Sequence, residues 1–474
     1  MLTLADMVEA LTGMHLPDLT QRISGAAIDS RQCAAGYLFI ALPGEHLDGH
    51  DFVEDAFNRG AVIALLQKDM SAKFNQIDLR KGSFQGMMPE MVMPPLCLLV
   101  DNSLAAMQSI ARFWRRKLTL RVIGITGSVG KSTTKELIAE VLTNRYRTLR
   151  SPGNLNNEIG LPLTLLQLSH EHQRAVLEMG FYVPGEIAFL CDLALPQVGV
   201  VTNIGTVHAE RAGSIEKIVE GKTELVRALP PAPEGVAILN YDDPRVKTMA
   251  EQTKAEVFFY GLSPEADLWA DGVEGSGLDG IRFRLHYRNE TVYLRVPLIG
   301  RHSVHTALRA AAVGLIEGMT WQDIVKGLQS RHAQLRLMAV KAESGAIILD
   351  DTYNASPEST LAALNLLEEL VGRKVAVLGD MLELGQYEHQ GHEMVGVRAA
   401  EVVDELVTVG ERAKIIAVAA HLAGLPHDRI VTFSGNAQAI DYLRGRLAAE
   451  DVVLVKGSRG MQMETIVSAL ESRA

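Results

Sequence analysis

GITGSVGKSTTKEL, residues 124–137, sits between a run that reads as a buried strand, LRVIGIT, and one that reads as a helix, STTKELIAEVL. A strand, a glycine turn and a helix start in that order form an anion-binding device. Glycines let backbone N–H groups point inward, and the helix amino terminus adds a favourable dipole. The spacing departs from the common G-x-x-x-x-G-K-[ST] pattern, which needs glycine at the position of Ile125; Gly124 is one place early and Gly127 two late. Gly127, Ser128, Val129 and Gly130 are the expected phosphate cradle. Lys131 is expected to neutralise β and γ phosphates, and Ser132 or Thr133 to place a hydroxyl on Mg²⁺.

At 474 residues the chain exceeds what one core of about 250–300 residues supports, so two or three domains are expected. Hydrophobic residues at 47% and charged residues at 22% mark a globular chain. The formal charge of -11 argues against nonspecific nucleic-acid binding. The amino terminus, MLTLADMVEALTG, places Asp6 and Glu9 where a signal peptide is basic and then apolar, and no apolar run reaches the roughly 18 residues of a membrane helix, so a cytoplasmic protein is expected. Cys33, Cys97 and Cys191 are widely spaced and read as packed thiols, not a zinc or disulfide framework.

An α/β architecture of three domains follows from the alternation. Residues 1–97 hold short runs such as GYLFIALPG and GAVIALL around a helix at FVEDAFNRG, a small α/β domain closed by the proline-broken connector GMMPEMVMPP at 86–95. Residues 98–330 alternate buried runs (LRVIGITG, AVLEMG, VGVVTNIG) with helices, which indicates a parallel sheet wrapped by helices around the phosphate loop. Residues 331–474 repeat the alternation through a series of buried runs that includes AIILDD, KVAVLGD, ELVTVG and DVVLVKGSRG. This series implies a Rossmann-like doubly wound domain of five strands, with ligands at the strands' carboxyl ends.

Several residues stand where chemistry is plausible. Glu178 ends a strand and is placed to hold Mg²⁺. Asn154, Asn156 and Asn157 also suit capping and turning. Asn203 and His208 follow a strand, and Lys222 lies on the next helix. ILDDTYNASPEST, 348–360, puts Asp351, Tyr353 and Asn354 at a strand end, and Lys456 and Arg459 offer an anion site after the last strand. His389 and His392 in QYEHQGHE read as an exposed helix start, not a metal pair.

The loop T-G-S-x-G-K-[ST]-T resembles that of the Mur ligase family, whose members use ATP to activate a carboxylate and couple it to an amine. The resemblance implies ATP, two Mg²⁺ ions and a lysine carbamate formed from CO₂. Lys131, Glu178, His208 and Lys222 are then the catalytic set, with Ser132, Thr133, Glu178, His208 and carbamylated Lys222 around the metals. Asn203, His302, Arg336 and Asp351 would join the loop in holding ATP. Ser303 stands where the family has asparagine, and QLRL at 334–337 where it has P-G-R-L.

AIDSRQCAAGYLFIALPGEHLDGHDF resembles the family's uridine-nucleotide segment through Ser30, Arg31, Gly44, Glu45, Asp48 and Gly49. Asn156, Asn157, Tyr353, Asn354, Lys456 and Arg459 complete the implied substrate contacts. The later motifs are most similar to the branch that joins D-alanyl-D-alanine to a UDP-N-acetylmuramoyl tripeptide through an acyl phosphate. The third domain lacks the D-N-P-R motif of the diaminopimelate-adding branch, and the loop differs from the T-G-T-N-G-K-G-S of folate-polyglutamate relatives. A monomer is implied, with hinges near 95 and 330 and no membrane insertion. A ligase of the same superfamily with another amine, and a nucleotide-gated assembly protein without catalysis, are the alternatives.

Overall fold

The computed structural model describes residues 1–44, 47–80, 93–330 and 338–472. Glu45, Arg336 and most of the 86–95 connector lie outside the described residues, as does the part of the expected hinge near 330 that falls at 331–337. The chain forms two compact units, Met1–Gly124 with Tyr146–Gly180 and Gly185–Val198, and Ile125–Arg145 with Phe181–Pro184 and Gly199–Ala474. No helix among the described residues is long and apolar enough to cross a membrane.

The first unit contains a five-stranded parallel sheet in the order Gly25–Ala27, Tyr37–Ile40, Ala61–Leu66, Leu96–Leu99, Gln76–Asp78. Phe39, Ala64, Leu66, Cys97 and Leu99 form one side of its core, against the helix Val53–Asn58. The helix Ser103–Arg116 starts at Asn102, whose Oδ1 accepts from Ala105 N–H at 2.9 Å, a side-chain cap for an orphan donor. Met107, Ile110 and Trp114 are its buried face, and Trp114 Nε1 donates to Leu168 O at 2.9 Å. In the same unit Thr148–Arg150 pairs in parallel with Arg174–Glu178, so Glu178 ends a buried strand as the sequence suggests.

The second unit starts at the phosphate loop. Its helix Lys131–Thr143 packs on Val304–Ile316 and Trp321–Leu328. Contact is close enough that a Cβ on Gly327 would lie 2.4 Å from Val141 Cα, so only glycine fits. The strands Val236–Asn240, Glu256–Gly261 and Leu268–Gly275 are parallel; Ile281–Tyr287 and Glu290–Val296 then turn antiparallel. That antiparallel extension is absent from the sequence reading, although IRFRLHY alternates strictly, with Ile281, Phe283 and Leu285 buried between exposed Arg282 and Arg284.

The C-terminal sheet has six strands, not the expected five, in the order Met338–Lys341, Ile347–Asp351, Asp451–Lys456, Arg373–Gly379, Glu405–Val409, Ile430–Phe433. All are parallel except the antiparallel edge Met338–Lys341, a four-residue strand too short to announce itself. Alternate residues serve opposite faces: Leu349, Leu378, Leu406 and Leu454 face one helix layer, and Val377, Val407, Val453 and Val455 the other. That is the doubly wound arrangement. The last strand in sequence lies centrally, which brings Lys456 beside Asp351 at the carboxyl edge.

His392 departs from its expected exposure. It is fully buried, with Nδ1 donating to Glu388 O at 2.7 Å and Nε2 accepting from Met381 N–H at 3.1 Å. It shares a helix face with Val395 and Ala399, which carries it into the core. His389 is exposed beside Glu393.

Candidate active site

The phosphate loop is stapled to the segment that follows the strand Val198–Val201. Ser128 N–H donates to Asn203 O and Val129 N–H to Asn203 Oδ1, each at 2.9 Å. Thr202 Oγ1 donates to Val129 O at 2.7 Å, and Gly205 N–H to Ser128 Oγ at 2.7 Å. Asn203 is therefore a brace for the loop, a role its sequence position alone did not reveal. Gly127 and Gly130 have φ of 142° and 84°, where side chains are strained. The helix ladder begins with Thr134 N–H to Gly130 O at 3.0 Å, so the N–H groups of the first turn stand at the helix mouth. Lys131 folds back, its Nζ donating to Gly127 O at 2.7 Å and Ser128 O at 3.2 Å. Ser132 is buried at the same helix start.

Lys222 lies on the helix Ile215–Arg227 and is 1% exposed. Its Nζ donates to Gly127 O at 3.1 Å and sits 4.8 Å from the Phe181 ring. Gly221 permits this packing, since a Cβ there would be 2.0 Å from that ring. Burial, reinforced by the charge of Lys131, holds the Lys222 ammonium well below the usual lysine range. The shift favours the neutral amine, the form that attacks CO₂.

His208 has φ 64° and heads the short helix Ala209–Ala212. Its Nδ1 lies 2.6 Å from Glu383 Oε2, and Tyr182 packs edge-on at 4.7 Å. Burial pushes its imidazolium down to about 4 against the hydrogen bond it donates to Glu383, and the charges of Lys131 and Lys222 act in the direction of burial. In the first unit Glu178 is 1% exposed, and its Oε1 accepts from Asn156 Nδ2 at 2.9 Å. Asn156 O also accepts from Gly180 N–H at 2.7 Å, so this asparagine fixes the end of the strand. Asn157 Oδ1 accepts from Gly160 N–H at 2.9 Å and opens the helix Gly160–Leu165.

At the carboxyl edge of the C-terminal sheet, buried Lys456 donates from Nζ to Asp351 Oδ2 at 2.6 Å and to Asn354 O at 2.9 Å. Arg459 is exposed, with its guanidinium 5.8 Å from the Tyr353 ring. Exposed His302 packs over Gly300, and Ser303 Oγ donates to Ile299 O at 2.7 Å.

In the N-terminal segment, Asp29 caps Ser30–Gln32 and pairs with exposed Arg31 at 2.7 Å, while Ser30 is buried. Asp48 accepts from His50 N–H at 3.0 Å, meets His50 Nδ1 at 2.5 Å and pairs with Lys68. Gly49 lies so near Leu42 that a Cβ would be 2.7 Å from its nitrogen, and Gly44 N–H donates to Leu47 O at 3.0 Å. Asp48 and Gly49 thus shape the turn.

Three further residues near the loop escaped the sequence reading. Arg309 is buried, its Nη1 donating to Tyr260 OH at 3.2 Å and its Nη2 to Thr306 Oγ1 at 2.8 Å. Glu358 Oε1 accepts from Thr206 N–H at 2.9 Å, and Glu383 holds His208. Each partner lies far away in sequence or depends on helix phase, so no local pattern marks them.

Among the described residues no three His, Cys, Asp and Glu side chains form a ready cation cage. Mg²⁺ held with a nucleotide needs none, because it takes one or two carboxylates and substrate phosphates and keeps its waters. A buried hydroxyl at the helix mouth, a glycine cradle and a buried lysine amine beside it, its ammonium form disfavoured by burial, fit a Mg²⁺–nucleotide site and a lysine carbamate.

Three family models match the chain: Mur ligase family, catalytic domain, at residues 22–91; Mur ligase middle domain at 125–314; and Mur ligase, glutamate ligase domain, at 335–459. The UDP-N-acetylmuramoyl-tripeptide–D-alanyl-D-alanine ligase of Bacillus subtilis is 37% identical over 94% of this chain and 93% of its own length. The crystal structure of MurF from Acinetobacter baumannii superposes with a TM-score of 0.81 at 32% identity, covering 98% of this chain and 97% of that one. MurF ligase from Thermotoga maritima in complex with ADP gives 0.76 at 26% identity, covering 95% and 97%.

Proposed function

The chain belongs to the Mur ligase family, and from that premise we infer that it is the ATP-dependent ligase joining D-alanyl-D-alanine to UDP-N-acetylmuramoyl tripeptide, which yields the muramoyl pentapeptide for peptidoglycan. The observation that carries the reading is the stapled phosphate loop with buried Lys222 against Gly127. The tripeptide carboxylate attacks the γ-phosphorus, and ADP leaves. The dipeptide amine then adds to the acyl phosphate carbonyl, and the tetrahedral intermediate expels inorganic phosphate as the amine loses a proton. Phosphorylation is needed because a carboxylate is a poor electrophile.

Residues of this chain supply position and charge. Lys131 leaves the carbonyls of its own loop for the β and γ phosphates, a short swing for an unbranched side chain. Asn203 keeps the loop open by holding Ser128 and Val129 from behind. Ser132 or Thr133, Glu178, His208 and the Lys222 carbamate are the residues that would hold two Mg²⁺ ions. Those ions, when bound, offset the charge that gathers on the transferring phosphoryl group. Asp351, His302 and Arg336 would flank the nucleotide. Tyr353, Asn354, Lys456 and Arg459 would receive the dipeptide, and Ser30, Arg31, Glu45, Asp48, Gly49, Asn156 and Asn157 the UDP-linked tripeptide.

In this reading residues 1–97 take the UDP substrate and 98–330 bind ATP. Residues 331–474 close over ATP and D-alanyl-D-alanine from hinges near 95 and 330, in a cytoplasmic monomer. Phosphate release with Mg-ATP tests the function: release only when tripeptide and D-alanyl-D-alanine are both present, with a UDP-linked pentapeptide by mass, is expected. Release that ignores the dipeptide would keep the superfamily chemistry and overturn the amine.

A further inference from the structure

Five non-glycine residues among those described have positive φ, and two of them, His208 at 64° and Glu383 at 63°, are hydrogen-bonded to each other. Backbone in this region is strained for such residues and persists where surrounding contacts over-determine it. Here they do. Glu383 Oε2 lies 2.6 Å from His208 Nδ1, Arg211 Nη2 lies 3.0 Å from Glu383 Oε1, and Glu383 O accepts from Glu210 N–H at 3.2 Å. The next turn fits as tightly: a Cβ on Gly385 would be 2.8 Å from Glu210 Cα. Tyr182 completes the cluster, edge-on to His208 at 4.7 Å and beneath the Arg211 guanidinium at 4.4 Å.

An ionised carboxylate only accepts hydrogen bonds, so the nitrogen facing Glu383 carries the proton. In the neutral ring the other nitrogen, Nε2, then keeps its lone pair, and imidazole binds a cation only through such a nitrogen.

We propose that Glu383 is a positioning residue that fixes His208 as the Nδ1–H tautomer and so leaves Nε2 as its ligating nitrogen for a divalent cation. The proposal rests on the reading of His208 as a cation ligand. It adds a condition that the ligand set alone does not contain. Glu383 follows the strand Arg373–Gly379 of the C-terminal sheet, whereas His208 follows the strand Val198–Val201. The imidazole is therefore set for the cation only while the 380–385 segment is docked on 208–211, which ties cation readiness to that docking.

The test is spectroscopic first. Two-bond ¹H–¹⁵N correlation spectra of protein labelled at histidine, with His208 assigned from the His208→Gln spectrum, should show Nδ1 protonated and Nε2 bare in the unliganded protein. Glu383→Ala should move the ring towards Nε2–H, and Glu383→Gln, whose amide oxygen still accepts, should retain Nδ1–H. An Nε2–H ring in the wild type, or a Glu383→Ala spectrum identical to it, overturns the proposal.

Mn²⁺ affinity in the presence of a non-hydrolysable ATP analogue, read by electron paramagnetic resonance, is the second arm. Glu383→Ala should weaken it by about 10- to 100-fold and Glu383→Gln by much less. Unchanged affinity in Glu383→Ala overturns the proposal and leaves His208 as a ligand. Unchanged affinity in His208→Gln overturns that underlying reading as well. Glu383→Leu, which fills the same space but accepts no hydrogen bond, takes the place of the alanine variant in both arms if that variant fails to fold.

Discussion

Lys222 Nζ donates to Gly127 O at 3.1 Å, so a buried amine touches the first glycine of the phosphate loop. Burial favours the neutral amine, and only that form adds to CO₂. We expect a carbamate signal in ¹³C spectra of protein equilibrated with ¹³CO₂, absent from Lys222→Ala, and phosphate release in that variant lowered by about 100-fold or more. Lys222→Arg should behave like the alanine variant, because guanidinium forms no carbamate. A Lys222→Ala enzyme with ordinary turnover would remove Lys222 from the mechanism.

Gly127→Ala should abolish nucleotide binding with little loss of fold. At φ 142° an alanine is strained, and its Cβ would lie 1.8 Å from Thr202 Oγ1, which itself holds Val129 O. The double variant with Thr202→Ala removes the 1.8 Å contact with the hydroxyl but leaves Cβ of residue 202 at 2.9 Å and its nitrogen at 3.0 Å, and it keeps both the strain and the lost staple, so binding should remain at least about tenfold weaker than wild type by calorimetry. Full recovery in the double variant would show that the clash alone matters.

The loop was legible in the sequence because its strand, glycines and helix are contiguous, and periodicity exposed most of the buried strands. What stayed hidden is what depends on contacts across the chain. Lys456 and Asp351 were each read as site residues, but their pairing needs the strand order that puts Asp451–Lys456 beside Ile347–Asp351. Glu383 carried no local signal, since its partner is 175 residues away. His392 did carry one. Its helical register with Val395 and Ala399 marks a buried face, and the polar neighbours in QYEHQGHE masked it.

The pair Lys456–Asp351 should be strongly coupled. Lys456 is 2% exposed and Asp351 18%, so removing either leaves the other charge poorly solvated. Lys456→Ala is expected to cost about 3–5 kcal/mol in denaturant unfolding, and Asp351→Asn a similar amount. The double variant should fall short of the sum by about 1–3 kcal/mol. Additive effects would mean that the two groups do not sense each other in solution.

Alkaline pH should destabilise the protein before its lysines titrate. Burial pushes the Cys97 thiol up to about 12; burial, with the nearby Asp55 and Asp29 charges, pushes Cys33 up to about 11. Tyr442 is also raised to about 12, first by burial and then by its hydrogen bond to Glu405. These groups hold their protons in the folded chain at pH values where the unfolded chain has released them. Their contribution is intact below the unfolded thiol value of 9.0 and is lost as pH rises towards the folded values. Each such group steepens the fall by about 1.4 kcal/mol per pH unit within its window. Cys97→Val should therefore flatten the stability curve between pH 9 and 12 relative to wild type. At pH 8 a thiolate-seeking reagent should label Cys97 only after denaturant is added. Rapid labelling of Cys97 in the native protein would mean that the strand Leu96–Leu99 opens far more often than its complete burial implies.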